Sequence, residues 1–149
     1  MAFKRKKLFI DIDGVLITTK GSKPAEYVGE FIDYVIDNFD CYWLTTHCKG
    51  DSKTAIAYLT NHFEEAVIQK LQRVKATNWS TLKTEVFDFT FDFLWLDDYV
   101  FHAEKTVLLE NNSLDRLIVV DLQRRDELKR VMGVLRNYLT PDFDKFPDR

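Results

Sequence analysis

Cysteine is scarce in this chain, and its two thiols, Cys41 and Cys48, are too few for a disulfide framework. Cys41 lies in an apolar run and Cys48 beside a loop, so reduced thiols in a cytoplasmic protein are the simplest expectation. A zinc site built from Cys41, His47 and Cys48 would lack both a fourth ligand and the usual cysteine spacing. Long apolar runs are missing too. The basic start is followed by only Leu8-Phe9-Ile10 before an aspartate, which is no signal peptide, and no run approaches the roughly 20 residues that span a bilayer. Neither sign of charge dominates: 21 basic against 24 acidic residues leave a formal net charge of −3, so no overall field draws the protein to nucleic acid or to an anionic membrane. The basic run Lys4-Arg5-Lys6-Lys7 reads as the solvated start of a strand. With three prolines and five glycines, the chain offers no linker, and it contains no repeat and no low-complexity stretch.

What is present is a globular composition, 46% apolar and 30% charged. The 149 residues suit one domain over 1–140 with an irregular tail at 141–149, enough to build a core around a five- or six-element sheet. The segment that organises the rest is Leu8-Phe9-Ile10-Asp11-Ile12-Asp13-Gly14. An apolar run suited to a strand buried on both faces ends in two carboxylates one residue apart, then a glycine. Burying a carboxylate costs several kcal/mol unless a cation or hydrogen-bond donors compensate. Ligands in open α/β sheets bind outside the carboxyl ends of the strands, so this stretch forms the first wall of a site. An ordinary Asp-Gly turn is the competing reading. An EF-hand loop is excluded, because counting back from Gly14 puts Phe9 at its first ligand position.

Polar residues from Thr18 to Pro24 predict a loop or flap able to fold over the two aspartates. From Ala25 the spacing of Val28, Phe31, Ile32, Val35, Ile36 and Phe39 predicts a helix, with Pro24 suited to its first turn. Cys41-Tyr42-Trp43-Leu44 is a second strand, ending in Thr45-Thr46-His47. Helices follow over about Lys53 to Phe63, capped by Asp51 or Ser52, and Glu64 to Val74. Thr81 to Glu85 suggests a short helical turn that carries Lys83. Phe93-Leu94-Trp95-Leu96 is a third strand and again ends in paired acids, Asp97-Asp98. Thr106 to Leu109 suits a short strand or a covering segment; Leu117 to Val120 is a clearer strand closed by Asp121. A last helix begins near Asp126 and turns Leu128, Val131, Met132, Leu135 and Leu139 inward.

If Asp11, Asp13, Asp97 and Asp98 converge at one sheet edge, their repulsion must be answered. Two unit charges about 5 Å apart interact by roughly 3 kcal/mol at an effective dielectric near 20. All-oxygen ligation by few protein groups favours Mg²⁺, which commonly bridges to phosphate. A phosphate-bearing substrate then follows, with Lys83 adding positive charge, Thr45 donating a hydrogen bond and an aspartate available as nucleophile. His47, Lys49, Arg116, Arg124 and Arg125 are candidates for substrate contact, although a solvated charge is the simpler reading of each.

The order of these groups differs from a response-regulator receiver domain, in which the lysine comes near the end. Asp11-Ile12-Asp13-Gly14-Val15, a strand ending in Thr45, then Lys83, then Trp95-Leu96-Asp97-Asp98 resembles the four-motif signature of the haloacid dehalogenase (HAD) superfamily of phosphohydrolases. The resemblance spans Asp11 to Asp98 and implies a three-layer Rossmann-like α/β fold with a mainly parallel sheet. It implies Asp11 as the nucleophile that forms an aspartyl-phosphate, and Asp13 as acid for the leaving group and base for water. Thr45, with Thr46 beside it, would hold phosphoryl oxygens, and Lys83 would balance charge. Asp11, the backbone of Asp13, and Asp97 and Asp98 would hold Mg²⁺, with the inner-sphere ligand of the last two left open. Lys70, Lys75 and Lys105 compete with Lys83 for the lysine position. Neither gap between motifs holds a large cap domain, so the site should be open, suiting a small phosphomonoester or a phosphorylated nucleic-acid end as in RNA repair. A catalytically silent metal- or phospho-ligand-binding module is the reading from another class.

Overall fold

Leu8, Phe9 and Ile10 are apolar and buried and, with Lys7, form a strand, β1 (Lys7–Ile10), in the computed structural model, which describes residues 5–139. The chain continues through α1 (Val28–Asn38), β2 (Asp40–Trp43), α2 (Lys53–Thr60), α3 (Glu65–Leu71), a 3₁₀ turn at Lys83–Val86 and β3 (Phe93–Asp97). It closes with α4 (His102–Glu110), a 3₁₀ turn at Leu114–Arg116, β4 (Leu117–Val119) and α5 (Glu127–Leu139). The four strands pair in the order β2-β1-β3-β4, and every pair is parallel. The fold is therefore α/β with a parallel central sheet, compatible with a Rossmann-like architecture. The sheet has four strands rather than five or six elements; much of the remaining chain makes helices and the flap.

Side chains along a strand point alternately to opposite faces, and here they divide between two apolar clusters. Leu8, Ile10, Cys41, Trp43, Leu94, Leu96 and Ile118 join the first, with Phe31, Ile32 and Val35 of α1 and Leu128, Val131 and Leu135 of α5. Phe9, Phe93 and Trp95 join the second, with Phe87 and with Leu108 of α4. The inward stripes of α1 and α5 are thus the ones their three- and four-residue spacing predicts.

Three local expectations are corrected. Pro24 does not start α1: Ile17 and Pro24 form an antiparallel bridge, and the Ala25 N–H donates to Leu16 O at 2.9 Å. With Thr18 N–H donating to Lys23 O at 2.8 Å, residues 17–24 close into a hairpin-like flap, which delays helix entry to Val28. Of the two readings of Thr106 to Leu109, the strand falls and the covering segment stands: the stretch is part of α4, whose Leu108 packs in the second cluster. α2 and α3 stop at Thr60 and Leu71, short of the expected Phe63 and Val74. Among the described residues no helix is long and apolar enough to cross a membrane. Lys4 of the basic run and the expected tail at 141–149 lie outside the described residues.

Candidate functional site

The strand order fixes where a site can form. From β1 the chain moves to β2 on one side, then crosses to β3 on the other, so β1 and β3 flank the point where the winding reverses, and their carboxyl ends open a crevice. Ile10 is in register with Leu96, and the Asp11 N–H donates to Leu96 O at 3.1 Å. Asp11, just past β1, is therefore brought level with Asp97, the last residue of β3. One carboxylate oxygen from each of Asp11, Asp97 and Asp98 lies within 4.8 Å of the others. Asp11 and Asp97 are buried and Asp98 is half-buried.

Lys83 answers part of this charge. Its Nζ lies 2.7 Å from Asp97 Oδ2 and 3.1 Å from Asp11 Oδ2. Three carboxylates against one ammonium leave the cluster negative. Burial, then the charge of Asp97, pushes the Asp11 carboxyl up to about 7 against the opposing pull of Lys83. Burial also raises Asp97 and Asp98, the latter with a further push from Asp11. For Lys83 burial works against the charged form, but Asp11 and Asp97 outweigh it and the ammonium is held above its usual range.

The lysine itself is held by two further acids. Glu104 on α4, buried, accepts the Lys83 N–H at Oε2 (2.8 Å) and the Phe101 N–H at Oε1 (3.0 Å). Glu85 accepts from the backbone of Leu82, Ser80 and Thr81, bonds that bring its carboxyl down to about 2. Together they fold 80–86 so that Lys83 reaches the crevice. Lys75, one of its competitors, is ion-paired with Asp40, and Lys70 with Asp33.

Asp13 stands apart from the three clustered carboxylates. Its Oδ1 accepts from the Tyr58 hydroxyl at 2.8 Å, and its Oδ2 lies 2.9 Å from His47 Nε2. The His47 and Tyr58 rings stack with centroids 4.0 Å apart and planes 9° from parallel. Thr45 is buried at the end of β2, where its Oγ1 accepts the His47 N–H at 3.3 Å. Thr46 is exposed on the same loop. Of the remaining groups, Lys49 sits over the Trp79 ring, Arg116 donates to Phe91 O, and Arg124 lies 3.6 Å from Asp121. Cys41 and Cys48 each point a thiol at a backbone carbonyl and form no group with His47; among the described residues the three aspartates make up the one cluster of three metal-competent side chains.

Sequence reasoning missed Tyr58, Glu104 and Glu85. Tyr58 sits in a helical stripe and looks like core, while Glu104 and Glu85 look like ordinary acids in a first turn. Gly14 has a sharper role than turn chemistry. At φ +83°, a Cβ built there would come within 2.2 Å of the Asp98 carboxylate. Gly14→Ala should therefore cost about 1–2 kcal/mol for the left-handed backbone alone, and must also displace Asp98. Urea unfolding should show that loss, and calorimetric titration should show weakened divalent-ion binding.

Beside Gly14 and Asp98 a cavity of about 460 Å³ opens between the flap residues Thr18, Thr19 and Lys20 and the loop that follows β4. The oxygen-only donor set of Asp11, Asp97 and Asp98 at the mouth of a parallel sheet could hold a hard divalent cation, and Gly14 keeps the space beside Asp98 free of a side chain. A carboxylate next to an ammonium and such a cation has the makings of a nucleophile toward an anionic centre. In comparisons with known proteins, the chain matches no family model, no curated protein and no solved structure.

Proposed function

We infer that the protein is a Mg²⁺-dependent phosphohydrolase of the HAD type, acting on a phosphomonoester through an aspartyl-phosphate. The observation that carries this reading is Lys83 bridging Asp11 and Asp97 where the carboxyl ends of β1 and β3 meet. The two apolar clusters, fed by alternate strand residues, support the three-layer arrangement of that fold.

In this mechanism an Asp11 carboxylate oxygen attacks phosphorus while Lys83 offsets the charge of nucleophile and phosphoryl group. Asp13 gives a proton to the leaving oxygen as its bond to phosphorus breaks, then takes one from the water that cleaves the acyl phosphate. Thr45, with Thr46 beside it, would hold phosphoryl oxygens. Asp11, the Asp13 backbone carbonyl, Asp97 and Asp98 would hold Mg²⁺, which when bound supplies charge neutralisation at the phosphoryl oxygens. The site's openness suits either a small phosphate ester or a phosphorylated nucleic-acid end.

The test is hydrolysis of an aryl phosphate with Mg²⁺ and with excess chelator. Turnover that needs the metal and returns on its re-addition is the expected result. Bound Mg²⁺ without turnover of aryl phosphates, nucleotides, sugar phosphates or 3′- and 5′-phosphorylated oligonucleotides would overturn the reading in favour of a silent metal-binding module.

A further inference from the structure

The geometry points to His47 and Tyr58 as positioning residues that clamp the Asp13 carboxylate for proton transfer to the leaving group, an inference that rests on the phosphohydrolase reading. Asp13 follows the end of β1 on a turn, and its side chain is 44% exposed. Its backbone is fixed by the bonds of that turn, including Gly14 N–H to Ile17 O at 2.7 Å. The side chain has no such constraint of its own, and an aspartate in that setting samples several rotamers. Here each carboxylate oxygen has a separate partner, Tyr58 Oη on one and His47 Nε2 on the other. Two partners on two oxygens determine the rotation of the carboxylate plane as well as its place.

The clamp is built from two different elements. His47 comes from the loop after β2, tied back by its own N–H to Thr45 Oγ1 and by the Cys48 N–H to Thr45 O. Tyr58 comes from α2 and packs by its ring against the first apolar cluster. The parallel stack of the two rings ties their orientations together, and the His62 ring also lies against Tyr58, with centroids 5.0 Å apart. Packing alone accounts for an aromatic ring at 58; it does not account for a hydroxyl aimed at Asp13. A carboxylate oxygen accepts more than one hydrogen bond, so each partnered oxygen keeps a lone pair for the travelling proton. The proton passes from Asp13 to the leaving oxygen as the P–O bond breaks and the Asp11–P bond forms. Water then supplies hydroxide to phosphorus and a proton to Asp13 as the Asp11–P bond breaks.

In the first step, a group that aims an acid matters only where the leaving group needs the proton. The experiment compares kcat/KM, which reports the steps through leaving-group release and not the later attack by water, for p-nitrophenyl phosphate, whose leaving group departs as an anion, with that for a simple alkyl phosphate. Wild type, Asp13→Asn, Tyr58→Phe, His47→Ala and His47→Gln are measured in parallel. Tyr58→Phe keeps the ring and its stack, so the fold is retained. We expect its kcat/KM on the alkyl ester to fall about 10- to 100-fold and on the aryl ester less than about 3-fold. His47→Ala should show the same asymmetry, and His47→Gln, which restores an N–H donor, should recover part of the loss. Equal losses on both esters, or no loss on either, would overturn the clamp while Asp13→Asn still shows the asymmetry. If Asp13→Asn itself lacks the asymmetry, the acid role of Asp13 fails and the clamp falls with it; if wild type turns over neither these esters nor the other phosphates named above, the phosphohydrolase reading fails as well.

Discussion

Asp11→Asn is expected to lower metal-dependent hydrolysis of an aryl phosphate by about 10³-fold or more while leaving the protein folded. The amide is nearly the size of the carboxylate and keeps an oxygen to accept the Ile12 N–H, which Asp11 Oδ1 accepts at 2.8 Å. It lacks the negative charge that makes the carboxylate a nucleophile. Stability should hold or rise in the absence of metal, because the change removes one of three clustered carboxylates and leaves Lys83 its shorter partner, Asp97 at 2.7 Å. Steady-state rates, far-UV circular dichroism and urea midpoints separate the two effects. Full activity in this variant would remove Asp11 from the nucleophile's role. A loss of activity that tracks a loss of folded protein would leave the nucleophile assignment without support from this substitution.

The strands and the site edge were readable because they rest on short-range chemistry. Three of the four strands are apolar runs of the kind a doubly covered parallel strand requires, and they end in the polar groups Asp11, Thr45 and Asp97. Register then does the rest: Ile10 aligned with both Trp43 and Leu96 brings Asp11 level with Asp97, with Thr45 one residue beyond that level on the β2 side. Helix positions followed from apolar spacing, since α1 and α5 bury the residues that spacing selects.

What stayed hidden depends on contacts between distant residues. Pro24 satisfies the rules for a helix start, and only the pairing of Ile17 with Pro24 overrides them. Thr106 to Leu109 is β-rich in composition, yet Glu104 at the helix start and the packing of Leu108 under the second cluster make it helical. The Asp13 clamp joins residues 34 and 45 positions apart, and the Glu104 bond to Lys83 spans 21. No local pattern marks such pairs. A tyrosine on an apolar stripe and an acid in a first turn carry no sign of their partners until the sheet brings them together.

Lys83 offers the most direct test of how the cluster is held together, and one that does not depend on catalysis. Its side chain is 12% exposed and bridges two carboxylates whose own side chains are 11% and 1% exposed. Replacing it by methionine, similar in length and apolar, leaves Asp11 and Asp97 facing each other with no ammonium between them. Removing one partner of a buried ion pair costs about 3–5 kcal/mol, and the slight exposure here argues for the lower end, ~3 kcal/mol. Urea denaturation of Lys83→Met in chelator should show that loss. Adding Mg²⁺ should then stabilise the variant, as it does any native state it binds better than the unfolded chain. Because Lys83 and a cation balance the same carboxylates, the gain from Mg²⁺ should be larger in Lys83→Met than in wild type. An equal gain in both proteins would mean that the ammonium and the metal answer different charges. A stability loss under about 1 kcal/mol in chelator would mean that Asp11 and Asp97 relieve their repulsion without Lys83, by taking up a proton or by reaching solvent.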